Sequence, residues 1–219
     1  MGEIFSYNGK VSTFFRKCTE LLMINTFWLI CCMPLFTIGA ATTAMYYTIH
    51  KCVLHDRGYV TKEFFRSFYL NCKQGIILWC IYVGVGLLFV QDIYYFYHRL
   101  LEGDSIGMLW YLFLGLLLIL ILQIVYTFAY LARFENSIGR TIKESLIIML
   151  IHLGTNIKLV AILLIACLMV YLKFTFILIL PASFMLITCC NLEKIFGKYM
   201  CVADRELEQL LKEKLEENN

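Results

Sequence analysis

Uninterrupted apolar runs, broken by short polar stretches, set the pattern of this chain. Met108 to Ala132 carries no charged residue, and about 20 apolar residues suffice to cross a bilayer as a helix. Runs such as Leu116 to Leu122 do not alternate with polar positions, so they do not fit the dyad pattern of a membrane β-barrel. The runs predict six membrane segments: Glu20–Phe36, Thr37–Lys51, Gly75–Tyr97, Met108–Ala132, Ile157–Leu172 and Phe174–Cys190. The expected fold class is therefore all-α, a polytopic helical membrane bundle with short amphipathic interfacial helices. The count falls to five segments if Thr37–Lys51 does not cross. Residues 1–190 form one membrane domain with an N-terminal interfacial helix. Residues 191–219 follow as a cytoplasmic tail, in which Leu207, Leu210, Leu211 and Leu215 share one helical face.

The second segment is the ambiguous one. Gly39, Ala40, Ala41, Thr42, Thr43 and Ala44 are small residues, which let helix backbones approach closely in lipid. At 1.5 Å per residue the segment is about 20 Å long, short of the roughly 30 Å hydrocarbon core. It either enters partway or is buried among other helices. Charge arbitrates, because Lys and Arg near a span resist translocation. With six segments and both termini inside, 17 of the 19 Lys and Arg lie inside, and only Arg99 and Lys173 lie outside. If Thr37–Lys51 does not cross, the best split is 14 against five. The sorting favours six segments and places the Pro34–Thr43 turn near the outer side.

Composition agrees. Hydrophobic residues make up 61% and charged residues 16%, against about 25% charged in soluble domains. The net charge of +3 gives no case for nucleic acid. The ten cysteines include no Cys-x-x-Cys pair and read as reduced packing residues. The first run follows Arg16-Lys17 without a small-residue cleavage site leading to a secreted domain, so it is expected to stay in place.

Three stretches rhyme. Phe14-Phe15-Arg16 and Phe64-Phe65-Arg66 precede the first and third segments, and Gly139 to Glu144 resembles Gly58 to Glu63. The chain reads as three helical hairpins, each entered through a helix lying at the inner surface. A shared preference of interfacial helices for aromatic and basic residues explains the same likeness.

Candidate chemistry is sparse. Asp92 is the one acid well inside a segment, in its outer third, where it pairs with Arg99 or faces a polar cavity open to the outside; it is either a carboxylate with access to water near the outer headgroups or a proton or substrate site. Asn25, Thr42, Thr43 and Gln123 are polar at membrane depth and suit hydrogen bonds between helices. The four histidines do not cluster in sequence, and no metal-ligand spacing or catalytic motif is present. Pro34 removes a backbone donor and Gly39 permits an unusual turn. Broken backbone at membrane depth must be buried in protein or line a wet cavity. Thr37, Gly39, Thr42 and Thr43 are accordingly the candidate binding residues, with Asp92. No cofactor, metal or catalytic group is expected.

One set of residues carries a specific likeness. Asn25, Trp28 and Leu29 precede Pro34-Leu35-Phe36-Thr37-Ile38-Gly39, and Phe64, Phe68, Asn71, Lys73, Gln74 and Gly75 follow, with Arg133-Phe134-Glu135 beyond. Together these resemble the YesL family, small bacterial integral membrane proteins of uncharacterised function. Ala40 stands where members commonly have proline. The resemblance implies a protein of the bacterial inner membrane, accessory to carbohydrate uptake, with ABC permease or ATPase subunits as partners beside the bilayer itself; the lack of a catalytic constellation makes the expected component non-enzymatic. The alternative is an autonomous small-solute transporter or channel, for which few polar groups line the segments.

Overall fold

The computed structural model describes residues 10–172 and 180–199. Among these residues every regular element is helical: α1 Lys10–Cys31, α2 Ile38–Thr48, α3 Val60–Leu101, α4 Leu109–Arg133, α5 Ile138–Ile151, α6 Leu153–Leu172 and α7 Leu180–Tyr199. A 3₁₀ turn at Leu35–Thr37 enters α2, and a π-turn at Ile49–Leu54 leaves it. Lys173 and the four leucines of the tail lie outside the described residues.

Two helical stretches, Val60–Leu101 and Ser105–Arg133, are long and apolar enough to cross a membrane. A third is added if Ile138–Ile151 and Leu153–Met169, bent by 95° at their junction, act as one span. The six-segment count therefore has no such support. The difference is greatest at the N-terminus, where α2 has only 11 residues, about 16 Å of helix.

α3 runs unbroken for 42 residues, about 63 Å. Its first half carries Lys62, Glu63, Arg66 and Lys73; from Gly75 onward it is apolar as far as Gln91. The Phe64-Phe65-Arg66 stretch is thus the base of a continuous helix and not a separate surface helix. Phe14-Phe15-Arg16 likewise belongs to α1. Of the three stretches that rhyme, only α5 is set off from the helix after it, by the 95° bend.

α3 ends in a Schellman motif. Gly103, at φ +81°, donates its N–H to the Leu100 carbonyl, and the Asp104 N–H reaches the Arg99 carbonyl. A side chain on Gly107 would run into the Leu100 backbone, so this glycine closes the turn onto the end of α3. α4 then returns antiparallel along α3. The stacked rings of Phe96 and Phe113, 5.3 Å apart, mark one end of the pair, and Trp79 against Phe128 at 6.3 Å marks the other.

The core centres on α2. Ala40, Ala41, Ala44, Met45, Tyr46 and Ile49 are buried among α1, α3, α4 and α7. Thr37–Lys51 is therefore buried among other helices. α7 continues to Tyr199 and buries Leu192, Ile195 and Phe196, so a boundary at residue 190 falls inside a packed helix.

Candidate functional site

The hairpin made by α1 and α2 explains the residues singled out around Pro34. α1 ends at Cys31, before Pro34, which cannot donate to a helical ladder. The Thr37 hydroxyl lies 2.5 Å from the Cys31 carbonyl and 2.6 Å from that of Pro34. It satisfies backbone that the broken helix leaves open. Gly39 is helical and not the hinge of an unusual turn. Its small size matters instead: a Cβ there would strike the Gly75 carbonyl and stand 2.8 Å from the Phe128 ring. The Trp28 indole donates to the Thr42 hydroxyl at 3.3 Å and ties α1 to α2. The Thr43 hydroxyl donates to the Gly39 carbonyl of its own helix at 2.9 Å. Asn25 is buried in the same interface. These residues shape and dock a hairpin.

The depth of the hairpin also differs from expectation. Its tip stands beside Gly75, where the charged half of α3 gives way to the apolar half. From Gly75 to Tyr97 is 23 residues of helix, about 33 Å, a full hydrocarbon thickness. The Pro34–Thr43 turn therefore lies near the charged end of the bundle, opposite the Tyr94–Tyr97 cluster. Both ends of the hairpin are at the charged end too. Arg16 Nη2 lies 2.6 Å from Asp56 Oδ1, and Lys17 Nζ is 3.6 Å from the other oxygen. Asp56 takes φ +50°, a left-handed conformation that Asp tolerates better than most residues.

The charged end holds a knot of polar side chains. Glu193 on α7 accepts from the Tyr46 hydroxyl at 2.9 Å and lies 3.2 Å from His50 Nε2 and 3.3 Å from Arg133 Nε. Arg133 Nη1 is 3.5 Å from His50 Nδ1. A guanidinium only donates, so His50 Nδ1 accepts and Nε2 carries the proton facing Glu193. Glu193 is thus the shared partner of side chains from α2, the π-turn and α4. The π-turn delivers His50 to this place, and one inserted residue of this kind often marks a functional position. The next residue, Lys51, pairs with the buried Glu63 at 2.8 Å. His55 Nδ1 donates to the His50 carbonyl at 2.7 Å, and the two rings stand 4.4 Å apart. Histidines that do not cluster in sequence are thus brought together, although no described group of three or more His, Cys, Asp or Glu could hold a metal.

Beside the knot opens a cleft of about 840 Å³. Arg66, Asn71 and Gln74 project from α3, Arg133 and Asn136 come from the end of α4 and the linker after it, and Arg140 stands in the first turn of α5. Asn71 donates to the Ser67 carbonyl at 3.0 Å, and Asn136 to the Tyr130 hydroxyl at 3.1 Å. The α5 N-cap, Ser137, makes no side-chain capping bond. Three guanidiniums therefore share a cleft whose one carboxylate is Glu135.

A second network lies between α3, α4 and α5. The Tyr82 and Thr127 hydroxyls are 2.7 Å apart, and Gln123 Nε2 donates to the Ser145 hydroxyl at 2.9 Å. Gln123 thus bridges helices. At the far end, Arg99 pairs with Asp104 at 2.9 Å and donates to the Tyr95 hydroxyl oxygen at 2.8 Å, which leaves Asp92 without the Arg99 contact foreseen for it. A shallow hollow there is lined by Gln91, Tyr94, Tyr95, His98, Arg99 and Glu102, and Asp92 is not part of it.

The sequence marks Asn71, Gln74 and Arg133 as motif residues but not as members of one cleft; it places His50 with His55 and Asp56 without a further ligand, and it gives Glu193 no role. Glu193 offered a signal: it shares a helical face with Cys189, Leu192 and Phe196, all buried, and an acid on an apolar face asks for partners.

Residues 21–93 match the family described as Protein of unknown function, DUF624. The match runs from α1 through the hairpin and the π-turn to the apolar half of α3, and takes in Asn71 and Gln74 but not Arg133 or Glu193. No curated protein and no solved structure matches the chain.

Proposed function

We propose that the chain is a YesL-type protein of the bacterial cytoplasmic membrane, without catalytic activity, that serves as an accessory component of carbohydrate uptake through ABC-type importers. In this reading α3 and α4 cross the membrane, α6 and α7 form a second crossing pair, and α1 and α2 enter and return without crossing. The charged end faces the cytoplasm, with both termini on that side. The observation that supports this is the Arg16–Asp56 pair at 2.6 Å. It sets the N-terminal positives beside the segment that carries Lys51, Arg57 and Lys62, so the 17-to-two sorting of Lys and Arg needs no crossing by Thr37–Lys51. A re-entrant backbone of this kind is tolerated because it is buried in protein. The polar knot and the arginine cleft then lie at the cytoplasmic face, where an importer's ATPase subunits work. The importer as partner rests on the YesL resemblance.

The test is purification of the tagged protein from its native membrane in mild detergent. Recovery with ABC permease or ATPase subunits is expected. Recovery of the protein without either overturns the accessory role. Solute movement by the lone protein in liposomes replaces it with an autonomous transporter or channel.

A further inference from the structure

We infer that the cleft between α3, the α4–α5 linker and α5 is a binding site for an anionic phosphate group, held by Arg66 and Arg140. Of the three arginines in the cleft, Arg133 is committed to Glu193. Arg66 and Arg140 make no ion pair among the described residues, and both are exposed toward the cleft. Glu135 is the one carboxylate in the lining, so Arg66 and Arg140 bring an excess of positive charge to the cleft from separate elements. Such an arrangement is unfavourable when empty and favourable around an anion. Guanidinium groups match phosphate oxygens in bidentate geometry, and two of them from facing elements clamp one tetrahedral group. The Gln74 amide adds a neutral donor. The volume of about 840 Å³ falls in the range of small-molecule sites, about 300–1,000 Å³.

Placement narrows the source of the phosphate. The cleft sits just below Gly75, at the headgroup level of the reading above, and Leu70 in its wall is 71% exposed. Basic pockets beside spans on the cytoplasmic side suit anionic lipid headgroups, and Leu70 offers an apolar rim for a lipid's glycerol and acyl portion. A soluble phosphate satisfies the same arginines. The site rests on the membrane reading but not on any importer partner, so its failure leaves the co-purification result untouched.

The full chain in nanodiscs tests it, with native mass spectrometry and thermal unfolding as readouts. The probes are phosphatidylglycerol against phosphatidylcholine, and inorganic phosphate against chloride. Arg66→Gln with Arg140→Gln is compared with Arg99→Gln at the far end. The expected result is retention or stabilisation by phosphatidylglycerol, by inorganic phosphate, or by both. Binding should weaken at least tenfold in the double variant and stay unchanged in Arg99→Gln. Response to the lipid alone assigns a headgroup, and response to inorganic phosphate assigns a soluble ligand. Absence of response to either probe, or equal binding by the double variant, overturns the proposal.

Discussion

Glu193 is the residue on which most of the described polar structure converges. It joins α2, the π-turn, α4 and α7 through Tyr46, His50 and Arg133. Its side chain is only 17% exposed, so removing its charge leaves Arg133 and His50 desolvated and under-compensated. Glu193→Gln is expected to cost about 1–3 kcal/mol, read as a lower melting temperature in detergent, whereas Glu135→Gln on the exposed linker should change little. Equal melting temperatures for wild type and Glu193→Gln would show that these contacts do not hold α7 in place.

Among the elements, the α1–α2 hairpin decides how the N-terminal third packs, and glycine is its fitting tool. A Cβ on Gly39 meets the Gly75 carbonyl and the Phe128 ring, while a Cβ on Gly84, later in α3, meets nothing within 4 Å. Gly39→Ala should destabilise by about 1–3 kcal/mol through overpacking. Gly84→Ala should be neutral or stabilising by about 0.5–1 kcal/mol, because alanine is the better helix former. Equal effects in a thermal-unfolding comparison would show that the close approach of α2 and α3 is not what holds the hairpin. This contrast also shows what the sequence made legible. The small residues of Thr37–Thr43 announced a close helix contact. Their partner, Gly75, lies 36 residues on, and nothing local reveals which two glycines meet. The long apolar helices α3 and α4 were legible because an uncharged run of that length has few other uses. The depth of the hairpin was not, because charge sorting reads only which side each end is on. A hairpin that returns early sorts its charges like one that crosses.

At the scale of the whole molecule, the described polar contacts are strongly lopsided. The Arg16–Asp56 pair, the Lys51–Glu63 pair, the Glu193 knot and the arginine cleft all gather at one end, and the far end keeps Arg99 with Asp104. This architecture was only half visible in the sequence. The lopsided charge was plain, but Tyr46 and Glu193 are 147 residues apart, and the cleft is assembled from three elements that only folding brings together. In the proposed topology the hairpin returns to the side it came from. The most direct measurement places a topology reporter at the N-terminus and, in a second fusion, at Gly103 between α3 and α4. The N-terminal reporter is predicted on the cytoplasmic side and the Gly103 reporter on the opposite side. An N-terminal reporter on the same side as Gly103 would contradict the account, since it would separate Arg16 from Asp56 by the thickness of the membrane.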